Sequence, residues 1–171
     1  KAQAAAAVLF NKVLKDTFAY CKENNKPLHL MGLVSDGGVH SHINHVKALC
    51  DYAKDYGLRS DQVFIHAFTD GRDCDPKSGL TFIKELDEHL KTSGGHIATI
   101  CGRYYAMDRD KRWERVKLAY DLLTKGEGKK TTDVIKAIEE SYAENVTDEF
   151  IKPIVRTNAD GMPYAQVWDG D

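Results

Sequence analysis

Apolar positions along this 171-residue chain recur with two spacings. One is helical. Phe10, Val13, Leu14, Thr17 and Cys21 fall at i, i+3, i+4, i+7 and i+11 and predict a helix over residues 4–23, broken by Asn24-Asn25-Lys26-Pro27. Ile43, Val46, Leu49, Cys50 and Ala53 predict a second, with Gly57 as its stop. Asp75-Pro76 reads as the N-cap and first-turn proline of a third helix. That helix is carried by Phe82, Ile83, Leu86 and Leu90 and ends at Ser93-Gly94-Gly95. Asp108 is placed to cap a fourth helix whose inward face is Trp113, Val116, Tyr120 and Leu123. Lys125-Gly126-Glu127-Gly128 reads as a turn. Thr131 or Thr132 would cap a fifth helix with Val134, Ile135, Ile138 and Tyr142 inward.

The other spacing is the short continuous apolar run. Residues 28–34, 63–68 and 96–101 read as strands buried on both faces. Residues 151–157 and 164–168 read as a late pair, a hairpin around Asn158-Ala159-Asp160-Gly161. Strands alternating with helices through short connections predict an α/β fold: a three-layer α/β/α domain with a mostly parallel sheet.

The first three runs each stop at a polar, glycine-marked loop. These are Ser35-Asp36-Gly37-Gly38-Val39-His40-Ser41-His42, Asp70-Gly71-Arg72-Asp73, and Gly102-Arg103-Tyr104-Tyr105-Ala106-Met107-Asp108-Arg109-Asp110. In a parallel sheet the strand ends share one edge, and that edge is where open α/β sheets bind ligands. His40, Arg72, Asp73, Arg103 and Arg109 would therefore line one rim. Three arginines, a histidine and a carboxylate suit a small phosphorylated or carboxylated substrate. Arg109 lies at the expected start of a helix, where free N–H groups and the dipole attract anions. Arg112 and Arg115 are expected on the outer face of that helix, with Arg112 the nearer to the rim.

Composition narrows this only slightly. Apolar residues make up 42% of the chain and charged residues 29%, ordinary for a soluble globular domain. A net charge of −2 without a lysine or arginine stripe argues against a nucleic-acid surface. No signal peptide or membrane-spanning apolar stretch is evident. Cys21, Cys50, Cys74 and Cys101 are scattered, without CxxC or zinc spacing, so a reduced cytoplasmic protein is expected. The chain starts at Lys1 inside an alanine-rich stretch and stops at Val167-Trp168-Asp169-Gly170-Asp171. One domain of a larger protein is the expectation.

Three other motifs have plainer readings. Gly126-Glu127-Gly128-Lys129-Lys130-Thr131 lacks the first glycine and the hydroxyl residue of a P-loop, and reads as an exposed turn before a capped helix. His40, His42 and His45 invite a metal, but only Asp36 stands nearby to complete a set, so a helix start or a hydrogen bond to substrate suits them better. Asp73-Cys74-Asp75 echoes an aspartyl-nucleophile pair, yet Asp75 is accounted for as a cap.

The three loop blocks, with His66-Ala67-Phe68-Thr69 leading into the second, resemble the cofactor-independent phosphoglycerate mutases in sequence and in order. The resemblance runs from about Pro27 to the C-terminus; residues 2–25 match only as a generic helix. It implies an isomerase that interconverts 3-phosphoglycerate and 2-phosphoglycerate in glycolysis and gluconeogenesis. It further implies a cytoplasmic, monomeric parent with two domains. One is phosphatase-like and carries a serine nucleophile and two divalent metals, manganese or magnesium. The other, inserted within it, holds the glycerate. Residues 1–171 would be that inserted domain, without cofactor or metal ligands of its own, and inactive alone. His40, Arg72, Asp73, Arg103 and Arg109 match the family's substrate contacts, and Asp73 could also handle a proton. The alternative from another class is a non-catalytic module that binds small anions.

Overall fold

The computed structural model describes residues 11–171. In chain order the elements are α1 (Lys12–Glu23), β1 (Leu28–Leu33), α2 (Ile43–Tyr56), β2 (Val63–Thr69), α3 (Gly79–Ser93), β3 (His96–Gly102), a single turn α4 (Arg103–Ala106), α5 (Trp113–Lys125), β4 (Lys129–Thr131), α6 (Val134–Ala143) and β5 (Ile154–Arg156). Short 3-10 turns, Ser60–Gln62 and Asp148–Phe150, precede β2 and β5. Among the described residues no helix is long and apolar enough to cross a membrane.

The strands form one sheet in the order β1-β2-β3-β5-β4. β1, β2 and β3 run parallel, β5 lies antiparallel to β3, and β4 runs parallel to β5. Consecutive strand residues face opposite sides of a sheet. Ile100 and Ile154 join a large core with Phe18, Cys50, Ile83, Leu86 and Ile138. Their neighbours Cys101 and Val155 join a small one with Ala119 and Leu122. The three layers are therefore unequal: α5 and the turn α4 cover one face, and the other helices bury their apolar sides with the opposite face. At the centre of the sheet His66 and Thr99 are buried and paired. His66 Nδ1 lies 2.8 Å from Thr99 Oγ1 and its Nε2 lies 2.9 Å from His29 Nδ1. Burial, with His29 beside it, pushes the His66 imidazole down to about 3, so it is neutral.

Gly57 ends α2 in the left-handed conformation, at φ 96°, as the sequence predicts. Several other expectations need correction. Residues 4–10, with Phe10, lie outside the described residues. In the rest of α1, Phe18 and Cys21 are buried while Val13 is 72% exposed, because the helix packs Phe18 edge-on to Tyr52 of α2. α3 starts at Gly79, not at Pro76; the Asp75 carboxylate instead accepts from the Lys77 N–H in a preceding turn. On α5, Ala119 and Leu122 face inward while Trp113 and Tyr120 are exposed. Asp133, not a threonine, caps α6, its carboxylate accepting from the N–H groups of Ile135 and Lys136. The hairpin is absent. Residues 129–131, next to the expected turn, form β4, and its place beside β5 leaves residues 164–168 outside the sheet. One isolated antiparallel bridge, Thr157 to Pro163, joins the two late runs, with the Tyr164 N–H donating to Arg156 O at 3.0 Å.

Candidate functional site

The parallel register brings Leu33 level with Phe68, and Phe68 level with Cys101, so the three loops do leave from one edge. Asp70 ties them together. Its Oδ2 accepts from Ser35 Oγ at 2.7 Å, reaching the loop after β1. Its Oδ1 accepts from the N–H groups of Arg72 and Asp73, closing its own loop. The same oxygen accepts from Arg103 Nη1 at 2.6 Å, reaching the turn after β3. Burial disfavours the Asp70 carboxylate, but the bonds from Ser35, Asp73, Arg103 and Arg72 outweigh it and hold the group below the usual range.

Arg103 Nη1 also meets Asp73 Oδ2 at 2.7 Å, and the two carboxylates hold the guanidinium charged against burial. Both pairs use Nη1. Among the described residues nothing accepts from Nε or Nη2, which leaves one edge of the fork for a ligand. His40 Nε2 stands 3.9 Å from the same Asp73 oxygen. Arg72 is half-exposed, its Nη1 3.5 Å from Glu149 Oε1. Arg109 is exposed and makes no ion pair among the described residues. A cavity of about 340 Å³ opens between His40, Arg72, Arg103, Tyr104, Arg109 and Arg115.

Four of the five residues singled out from the sequence thus line one cavity, and Asp73 stands behind Arg103 as its partner. Arg115 corrects the sequence reading: it faces the cavity, while Arg112 is exposed, its Nη1 3.9 Å from Glu114 Oε1. The sequence reading also passed over Asp70, quoted only as part of its loop, and the segment 148–151. That segment wedges between the loops through backbone. Asp148 O accepts from Thr69 Oγ1 at 2.7 Å, and Ile151 O accepts from Gly102 N at 2.7 Å. A Cβ on Gly102 would lie 2.3 Å from Glu149 O, so only glycine fits there.

Among the described residues no three His, Cys, Asp or Glu side chains converge as a metal-binding set. His42 caps α2, its Nδ1 accepting from Asn44 N at 3.1 Å. The guanidinium groups that dominate the cavity do not fit a divalent cation.

A family model, BPG-independent PGAM N-terminus, matches residues 2–171. The chain belongs to the BPG-independent phosphoglycerate mutases. The 2,3-bisphosphoglycerate-independent phosphoglycerate mutase of Parabacteroides distasonis is 60% identical over 164 residues, covering 96% of this chain and 32% of the relative. That of Bacteroides thetaiotaomicron is 60% identical over 161 residues, with 94% and 32% covered. A crystal structure of Leishmania mexicana phosphoglycerate mutase, obtained at low cobalt concentration, superposes with a TM-score of 0.88 at 28% identity, covering 97% of this chain and 32% of that one. The chain thus spans about a third of the length of these phosphoglycerate mutases and corresponds to their N-terminal family model.

Proposed function

We propose that this chain is the substrate-holding part of a cytoplasmic, glycolytic phosphoglycerate mutase. The observation that carries the reading is the convergence of Arg72, Arg103 and Arg109 with His40 on one cavity, in a chain of this family. Phosphoglycerates carry a carboxylate and a phosphate a few bonds apart. Guanidinium forks match both groups and stay charged at all relevant pH values. Arg103, fixed by Asp70 and Asp73, offers a preset edge, so little side-chain freedom is lost when a ligand arrives. Arg109 and Arg72 are the adjustable members. The long, half-exposed Arg72–Glu149 contact is weak, so an arriving anion displaces Glu149 at small cost.

In this reading a serine outside the chain takes the phosphoryl group from one hydroxyl of the bound substrate, leaving phosphoserine and glycerate. The arginines keep the glycerate by its carboxylate while it turns. Its other hydroxyl then attacks the phosphoserine, and the serine oxygen leaves. Asp73, beside His40, steers or deprotonates the glycerate hydroxyl. Divalent metals, manganese or magnesium, would activate the serine from ligands outside this chain. Enclosure by the phosphatase-like partner domain of the same monomeric parent keeps water from the phosphoserine.

The test is a division of labour. A polypeptide extended by the remaining two thirds of a relative should interconvert 3-phosphoglycerate and 2-phosphoglycerate, and an Arg103→Met change in it should abolish most turnover. Turnover by the 171-residue chain alone would contradict the assignment.

A further inference from the structure

We propose that Arg115 is a positioning residue that presents Arg109 to the anion; the inference rests on the substrate-site reading above. Arg109 is the exposed arginine of the rim, on a loop between α4 and α5. Its two neighbours in sequence are tied to one guanidinium. Arg115 Nη1 lies 3.3 Å from Asp108 Oδ1 and 3.2 Å from Asp110 Oδ2, so a single group brackets Arg109 from both sides.

The bracket is anchored in two directions. Asp108, its side chain only 2% exposed, uses its second oxygen to accept from Arg112 N at 2.9 Å, which fixes the loop to the start of α5. The Arg115 guanidinium lies over the Tyr104 ring, its Cζ 3.9 Å from the centroid. Tyr104 in turn packs on Phe150, with centroids 5.1 Å apart, which joins the loop to the wedge beneath the rim. Lys111 adopts φ 56°, a left-handed conformation that side chains disfavour, so this loop needs outside contacts to keep its course. Arg115 supplies them. Lysine could keep a charge there but not the ring contact and the two-carboxylate fork together.

The experiment is a double-mutant cycle on the 171-residue chain, with the dissociation constant for 3-phosphoglycerate read by titration. Arg103→Met serves as the control for the site itself, and thermal unfolding monitors the fold. Arg115→Met is expected to weaken binding about tenfold, the size of one lost charge-assisted contact. Arg115→Lys should recover part of that loss. In an Arg109→Met background the Arg115→Met change should shift binding by less than about twofold, because its effect runs through Arg109. A full tenfold loss in that background, or no loss in the single variant while Arg103→Met weakens binding, overturns the inference and leaves the site reading standing. If the unsubstituted chain shows no binding at the rim, the site reading fails and takes this inference with it.

Discussion

Two aspartates are buried within reach of the same loops, and they behave in opposite ways. Asp70 is 2% exposed and Asp148 is fully buried. Asp70 faces the Arg103 guanidinium, and its carboxyl is held below the usual range. Asp148 accepts from Gly79 N at 2.7 Å and from the Tyr142 hydroxyl, but among the described residues no cation pairs with it. Burial, reinforced by Asp75 and Asp70, raises it above that range despite those two bonds. A buried carboxylate with a cation is part of a charge network open to a ligand. One without a cation serves the backbone around it. The pair separates what the site does from what holds it up.

The largest effect expected from breaking the support is at Gly102. Its added Cβ would meet backbone atoms of Glu149 and Ile151 within 2.8 Å, and neither can move aside. Gly102→Ala should cost at least about 3 kcal/mol in urea unfolding. Asp70→Asn comes next, at about 2 kcal/mol at pH 7, since a charge-assisted bond to Arg103 is lost in a buried place. Arg109→Met should weaken 3-phosphoglycerate binding about tenfold, read by calorimetry, with unfolding unchanged because the side chain is exposed.

The smallest effect is at Asp148, where asparagine keeps the shape. Its stability at pH 7 should stay within about 1 kcal/mol of the parent. The pH dependence sharpens the contrast. Asp70, lowered from 3.8, contributes stability above that pH that disappears as pH falls through its folded value. Asp148, raised from 3.8, contributes stability below that pH that disappears as pH rises through its folded value. Relative to the parent, Asp148→Asn should therefore gain stability as pH rises above about 4, and Asp70→Asn should lose it as pH rises towards 4. Equal slopes for the two variants would remove the distinction.

The same contrast explains what could be read from the sequence. Strands β1 to β3 announce themselves as apolar runs, and a parallel sheet then places their loops together. Arginines and a histidine at strand ends carry their chemistry in their residue types, so His40, Arg72, Arg103 and Arg109 were legible. Residues 148–151 were not, because they act through backbone groups and close packing against Gly71 and Gly102, which leave no side-chain pattern. Arg115 was misplaced because the helical stripe of α5 was set by Trp113 and Tyr120, large residues that stay exposed. Its spacing from Asp108 and Asp110 was the available signal. β4 spans three residues, too short for periodicity to register, whereas β5 falls inside the expected run 151–157.

The most direct test of the central claim is an amide NMR titration of this chain with 3-phosphoglycerate, with sulfate as the control. The account predicts shifts concentrated at His40, at Arg72 and Asp73, and across residues 103–109, saturating at lower concentration for 3-phosphoglycerate than for sulfate. Shifts elsewhere, or the same response to both anions, would contradict it.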